Sequence, residues 1–208
     1  MKYWILALFW IIYCVLHSGL ITNTVTLFLK QKFGDKYRYY RLFYNIFAVI
    51  TLIPIVIYTY SIRQSPFFHW EGYILPIRYV LLATGLLILY DGSRHYDMRT
   101  FLGVKQIGEK VTHNLINTSG KIDSTGILGI IRHPFYSASI LILWVNNLDV
   151  SILIVNIILT IYLIIGTLLE ERKLVQEFGN DYREYQRNVS MLFPIKWIFK
   201  RFQSLKTT

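Results

Sequence analysis

The chain has 208 residues, 54% of them hydrophobic and 16% aromatic, with a formal net charge of +10. With its positive mean hydropathy, this composition is too apolar for an ordinary soluble domain and fits a small integral membrane protein. The excess of Lys and Arg then reads as basic flanks of membrane spans facing cytosol and anionic lipid, not as a nucleic-acid surface, and the single Cys14 excludes an internal disulfide or a thiolate metal cluster.

The N-terminus resembles a signal peptide, with Lys2 ahead of an apolar run. No small-residue cleavage pattern follows and the hydrophobicity continues to about Leu29, so an uncleaved span is expected. A span needs about 20 apolar residues. Five runs qualify: Tyr3 to Leu29, Leu42 to Ser61, Ile74 to Tyr90, Gly126 to Val145, which Pro134 interrupts, and Val150 to Leu169. The connectors alternate in charge. Lys30 to Arg41 is strongly basic, Ile62 to Tyr73 carries only Arg63, and Asp91 to Arg132 is basic again, as is the tail after Glu171. The positive-inside rule then gives an all-α bundle of about five spans, N-terminus outside and C-terminus cytosolic; a bacterial or archaeal cell membrane is expected. Residues 1–125 supply three spans with basic loops, and residues 126–208 a helical hairpin and tail.

Within the third connector, Gly108 to Gly120 reads as a polar loop through Thr112, Asn114, Asn117 and Ser119. In the tail, Leu174, Val175, Phe178, Tyr182 and Tyr185 recur on one face and predict an amphipathic helix. Phe193, Ile195, Trp197, Ile198 and Phe199, mixed with Lys196, Lys200 and Arg201, predict a segment lying at the bilayer interface.

Arg132-His133-Pro134-Phe135-Tyr136 sets ionisable groups inside an apolar sequence, where each costs roughly 3 kcal/mol and marks a functional site. Asn146-Asn147-Leu148-Asp149 predicts a tight turn that makes the fourth and fifth helices antiparallel neighbours. From a shared turn, Pro134 to Val145 extends about 18 Å and Val150 to Leu169 about 30 Å. Arg132 and His133 therefore fall roughly 10 Å short of the end of helix five, below the membrane surface. Non-helical backbone at that depth must line a protein cavity. Pro134 suits a first helical turn, whose N–H groups form an anion site that Arg132 would reinforce.

Glu170 and Glu171 face this site, pointing about 100° apart on one helix. One is expected to meet a cationic or hydroxyl-rich ligand while the other holds a local partner such as Arg172 or Lys173. With rings from Tyr136, Phe178, Tyr182 and Tyr185, the pocket suits a ligand bearing a carboxylate, an ammonium or sulfonium cation, hydroxyls and a flat ring. S-adenosylmethionine has all four, although these residues alone do not select it over other nucleotides.

Elsewhere, His17 with Ser18 reads as a helix-to-helix hydrogen bond, or as a group that orients an acceptor or removes its proton. Asp91, Arg94, His95, Asp97 and Arg99 read as interfacial salt bridges, with Asp91 and Arg94 able to face the same pocket. The five histidines, His17, His69, His95, His113 and His133, show no i, i+4 pair, so no metal site is expected. Tyr37, Tyr39, Tyr40 and Tyr44 read as an interfacial aromatic belt.

Arg132-His133-Pro134-x-Tyr136, then Glu170-Glu171, Phe178-Gly179-x-x-Tyr182-x-x-Tyr185 and Pro194 resemble the C-terminal half of the isoprenylcysteine carboxyl methyltransferase family, over about Gly126 to Pro194. More distant similarity runs to phospholipid N-methyltransferases, nitric-oxide-reduction-associated membrane proteins and bacterial methanethiol S-methyltransferases. His17-Ser18, Tyr44-Asn45 and Phe101-Leu102-Gly103 are similar to bacterial members. The resemblance implies a membrane-embedded S-adenosylmethionine site held by Arg132, His133, Pro134, Tyr136, Glu170 and Glu171, with Tyr182 and Tyr185 on a covering helix. Arg132 and His133 would act in catalysis by orienting the cofactor, since methyl transfer needs positioning and exclusion of water more than acid–base chemistry. The acceptor, a small or lipophilic carboxylate, thiol or amine, stays open. Two other readings remain: a membrane reductase using NADPH, for which no glycine-rich fingerprint appears, and a non-enzymatic accessory protein of a respiratory or denitrification system.

Overall fold

The computed structural model describes residues 1–108 and 122–206. The polar loop expected from Gly108 to Gly120 lies, apart from Gly108, outside the described residues. Among these the regular elements are helices: α1 (Lys2–Leu20), α2 (Asn23–Phe33), α3 (Tyr40–Ser61), α4 (Leu75–His95) and the short α5 (Met98–Leu102) and α6 (Lys105–Gly108). Then follow α7 (Pro134–Trp144), α8 (Val150–Phe178), α9 (Asn180–Asn188) and α10 (Ile195–Lys206).

Among the described residues, four helical segments are long and apolar enough to cross a membrane: Lys2–Leu20, Asn23–Ser61, Gly72–His95 and Val150–Phe178. The first expected span is broken near Thr22, whose hydroxyl donates to Gly19 O (2.8 Å) and accepts from Val25 N–H (3.4 Å), ending one helix and capping the next. The fourth expected span is a 3-10 turn at Gly126–Gly129 followed, after Pro134, by the 11-residue α7. At 1.5 Å per residue α7 is about 16 Å long, well short of a ~30 Å hydrocarbon core. The expected amphipathic tail helix is two helices. α8 continues through the glutamate pair to Phe178, and Gly179, at φ +60°, turns the chain into α9.

The chain forms two compact units. The first holds Met1–His69, the described residues 97–108 and Asn147–Leu159. Its centre is Leu6, Trp10 and Val155, packed by Leu52, Ile55 and Val56; the Trp10 indole N–H donates to buried Thr59 Oγ1 at 3.0 Å. At one end of this unit Tyr3 donates to Gln64 (2.6 Å), Arg63 pairs with buried Asp149 (2.6 Å), and Phe68 and Leu148 exchange backbone hydrogen bonds. At the other, Tyr40 donates to Leu20 O (2.7 Å), and Arg41 and Asn45 donate to carbonyls of Phe101 and Leu102. The N-terminus, the weakly charged second connector and the Asn147–Asp149 turn thus share one end, and the first and third connectors share the other. That is the alternation the charge pattern predicts.

The second unit holds Trp70–Tyr96, the described residues 122–146 and Thr160–Thr208, of which the last two lie outside the described residues. α4 packs against α7 because Gly85 and Gly92 leave room: a Cβ on Gly92 would sit 3.3 Å from the Pro134 ring. α7 and the later part of α8 are antiparallel neighbours, tied near the turn by Trp144 Nε1 donating to Thr160 Oγ1 (3.0 Å). At the opposite end of α7 lies the polar cluster described next.

Candidate functional site

Before α7 the chain is non-helical over Ile131–His133, where Ile131 forms an isolated parallel bridge with Ser190 in the segment after α9. Arg132 N–H donates to Ser190 O (2.9 Å) and His133 N–H to Met191 O (3.1 Å). Their backbone needs are therefore met by protein, as non-helical chain in an apolar environment requires. His133 then precedes Pro134 at the first turn of α7, and the Ser137 hydroxyl lies 2.9 Å from His133 O and 2.6 Å from Leu192 O.

Glu171 is the hub of the cluster. Its Oε1 accepts from Arg132 Nε (2.9 Å), Tyr182 Oη (2.6 Å) and His133 Nε2 (2.6 Å); its Oε2 accepts from Arg132 Nη2 and Gln186 Nε2, both at 2.6 Å. A two-point arginine clasp is the strongest geometry available to a carboxylate. The remaining Arg132 nitrogen, Nη1, donates to Gln186 O (3.2 Å) and Val189 O. The guanidinium is thus engaged within the protein on all three nitrogens, instead of standing open as the anion anchor expected beside Pro134. Nor is the partner of Glu171 a neighbour such as Arg172 or Lys173; it is the Arg-His pair brought from across the hairpin.

Glu170 is placed differently. Its carboxylate lies 3.7 Å from His133 Nδ1, and its side chain is 28% exposed against 9% for Glu171. Tyr136 faces Glu170 with its hydroxyl and meets the His133 ring edge-on at 5.8 Å, its own ring lying over Gly166. Of the two glutamates, Glu171 holds the site together and Glu170 is the one with exposed surface.

Tyr182 and Tyr185 are one turn apart on α9, their rings 5.7 Å apart. Tyr185 donates to Leu128 O (2.5 Å). Burial, then the bond to Glu171, pushes the Tyr182 phenol well above its ordinary range; Tyr185 is raised by burial and by nearby Tyr96. These rings, with Tyr96, Leu174, Phe178 and Arg132, line a cavity of about 40 Å³. Beside it, His95 Nδ1 lies 2.7 Å from Asp123, and Asp91 accepts from Ile127 N–H (2.9 Å), its other contacts being Arg94 at 3.9 Å and His95 at 4.0 Å. Burial alone would raise the Asp123 carboxyl, but hydrogen bonds from Thr125 and His95 outweigh it and hold the group below the usual carboxylate value. Asp91 thus anchors the 122–129 segment to α4. His17 belongs to the first unit, where both ring nitrogens lie about 3 Å from the Tyr44 hydroxyl of α3, so its bond crosses between helices through Tyr44.

The sequence reading did not foresee Gln186, Ser137 or the His95–Asp123 pair. Gln186 follows Tyr182 by four positions, on the same face of α9, and that spacing is a signal. Asp123 carries none.

The chain is similar to three methanethiol S-methyltransferases in particular. It is 46% identical over 126 residues to the enzyme of Pseudomonas deceptionensis, covering 60% of this chain and 43% of that one. It is 31% identical over 158 residues to methanethiol S-methyltransferase 1 of Bradyrhizobium diazoefficiens, covering 73% and 53%. With the enzyme of Pseudomonas sp. strain GM41(2012) it shares 32% over 116 residues, covering 55% and 41%. The chain spans about half the length of the curated relatives it matches. No family model matches it, and no solved structure matches it significantly. These homologues support the isoprenylcysteine carboxyl methyltransferase-like family, of which methanethiol S-methyltransferase is a member, as the family of this chain.

Proposed function

We propose that this protein is an integral membrane methyltransferase that uses S-adenosylmethionine to methylate a small or lipophilic acceptor, with a thiol as the first acceptor to test. The observation that carries this reading is the buried network around Glu171, which fixes His133 and Tyr136 beside a partly exposed carboxylate, Glu170. The names of the relatives add methyl transfer to a thiol.

The residues present fit the charged end of such a cofactor. Glu170 offers an anion, and the rings of Tyr136 and Tyr96 offer π-faces, both suited to an ammonium or a sulfonium. The cavity beside Arg132 is about 40 Å³, far below the roughly 300 Å³ of the smallest ordinary ligand pockets, so a nucleoside needs the site to widen. When bound, the cofactor supplies a methyl group activated by sulfonium charge. The chain's own work is to position it. Glu170 holds the cation, His133 and Tyr136 orient that carboxylate, Arg132 and Glu171 keep both in place, and Tyr182 and Tyr185 on α9 exclude water. A bacterial or archaeal cell membrane, with the C-terminal tail on the cytosolic side, completes the reading.

The test is incubation of the purified protein in vesicles with methyl-labelled S-adenosylmethionine and a panel of a thiol, an amine and a carboxylate. Label in the thioether product is expected. Absence of label from every acceptor, together with no cofactor binding by calorimetry, overturns the proposal.

A further inference from the structure

The first unit contains a larger cavity than the one beside Arg132, and the methyl-transfer reading makes no use of it. It lies between α1 and α3, has a volume of about 290 Å³, and opens between side chains such as Ile12, Leu16 and Phe47 that are themselves exposed on the apolar surface. That size is at the lower bound of ordinary small-molecule pockets, about 300 Å³. Most of its wall is aliphatic or aromatic, with Phe9, Ile12 and Ile55 along it. One end is not. There His17 stacks on Tyr13 (ring centroids 5.6 Å, 23° between planes) and lies 5.2 Å from the ring of Tyr44, whose hydroxyl is within 3.1 Å of both imidazole nitrogens and His17 O. An imidazole within a membrane-length helix is costly, and such a group marks a site by default.

We infer that this cavity binds a lipophilic small molecule carrying a single hydrogen-bonding head, of the phenol kind, with its head at His17 and Tyr44 and its body between α1 and α3. The wall supports one head and one apolar body: His17 and Tyr44 are gathered at one end, and the hydroxyl of Thr51 further along is engaged by the carbonyls of Phe47 and Ala48. A whole two-chain lipid, with chains that each cross half of a ~30 Å core, exceeds the space. Entry is lateral, from the bilayer. The inference stands apart from the methyl-transfer reading and is tested without the cofactor.

Naphthol, which is fluorescent and carries one hydroxyl on an apolar body, is the probe, and naphthalene is its headless counterpart. Both are titrated onto the protein in lipid nanodiscs, with empty nanodiscs as the blank. Saturable binding of naphthol at one site per chain is expected. Thr51→Trp, which fills the cavity, should weaken binding by roughly tenfold or more, and Tyr44→Phe by roughly threefold to tenfold for naphthol with no change for naphthalene. Leu8→Trp, on the same helix α1 but outside the cavity wall, should bind as the parent does and controls for a general loss of fold. Non-saturable partitioning equal to that of empty nanodiscs overturns the inference. So does Thr51→Trp binding naphthol as tightly as the parent, or Tyr44→Phe weakening naphthol and naphthalene alike.

Discussion

Arg132 and Glu171, 39 positions apart in the chain, form a buried two-point ion pair, with Nε–Oε1 at 2.9 Å and Nη2–Oε2 at 2.6 Å. Both side chains are less than a tenth exposed. Five protein donors converge on this one carboxylate, two from Arg132 and one each from His133, Tyr182 and Gln186. Removing one partner of a buried pair leaves an uncompensated charge, at a cost on the order of 3–5 kcal/mol. Glu171→Gln keeps the shape but strands the guanidinium, and it should lower stability by that amount. Unfolding in detergent, followed by helical signal against temperature, checks it; a variant as stable as the parent would show that the pair contributes nothing.

Glu170 should behave in the opposite way. It makes a long contact to His133 at 3.7 Å and keeps part of its surface exposed. Glu170→Gln should therefore leave the unfolding temperature unchanged while weakening cofactor binding. A hydrogen bond to a charged group contributes about 1.5–3 kcal/mol, so affinity should fall roughly tenfold to a hundredfold. Calorimetric titration of S-adenosylmethionine onto the variant decides the point. Equal affinity in parent and variant would remove Glu170 from the site.

Much of this arrangement is legible in the sequence for a specific reason. Arg132, His133 and Glu171 are expensive in an apolar run, so a chain that keeps them must bring them together. The ends that meet in the first unit, at Arg63–Asp149 and Asn45–Phe101, are those that the alternating charge of the connectors pairs. What pattern alone does not give is direction. Two adjacent glutamates look alike in one dimension, and only packing decides that Glu171 turns inward. The parallel pairing of Ile131 with Ser190 uses backbone groups that carry no side-chain signal. The extension of α8 to Phe178 was hidden because the apolar stripe of the tail continues through Gly179, masking a break that resides in one backbone angle.

That break is open to a clean test. Gly179 has φ +60° and ψ −126°, in the left-handed half of backbone space that favours glycine, and a Cβ there would meet nothing within 4 Å. Gly179→Ala therefore carries a conformational cost and no steric one, about 1–3 kcal/mol. Because α9 begins at this residue and presents Tyr182 and Gln186 to Glu171, the variant should lose stability and cofactor affinity together. Gly19→Ala is the contrast. That site is equally open but helical, so the exchange should be neutral or stabilising by up to about 1 kcal/mol. Equal unfolding temperatures for the two variants would show that the Gly179 angle is not required.

The tyrosines at the second unit's site supply a pH signature. Burial, then the carboxylates of Glu170 and Asp123, pushes the Tyr96 phenol up from 10.0 to about 12, and Tyr182 and Tyr185 are raised further in the same direction. A group whose value in the folded chain is raised binds its proton more tightly there than when unfolded. Its contribution to stability is complete below pH 10 and is lost as the pH rises through the folded value, a window of pH 10 to about 12 for Tyr96. Alkaline titration followed by phenolate absorbance should resolve two classes among the 16 tyrosines: exposed ones near the ordinary value, and a late class whose ionisation coincides with loss of helical signal. Tyr96→Phe should remove the earliest member of the late class and leave the exposed class unchanged. A single transition near pH 10, with the helical signal intact beyond it, would show that these phenols are not held in a closed, water-poor cluster around Glu171.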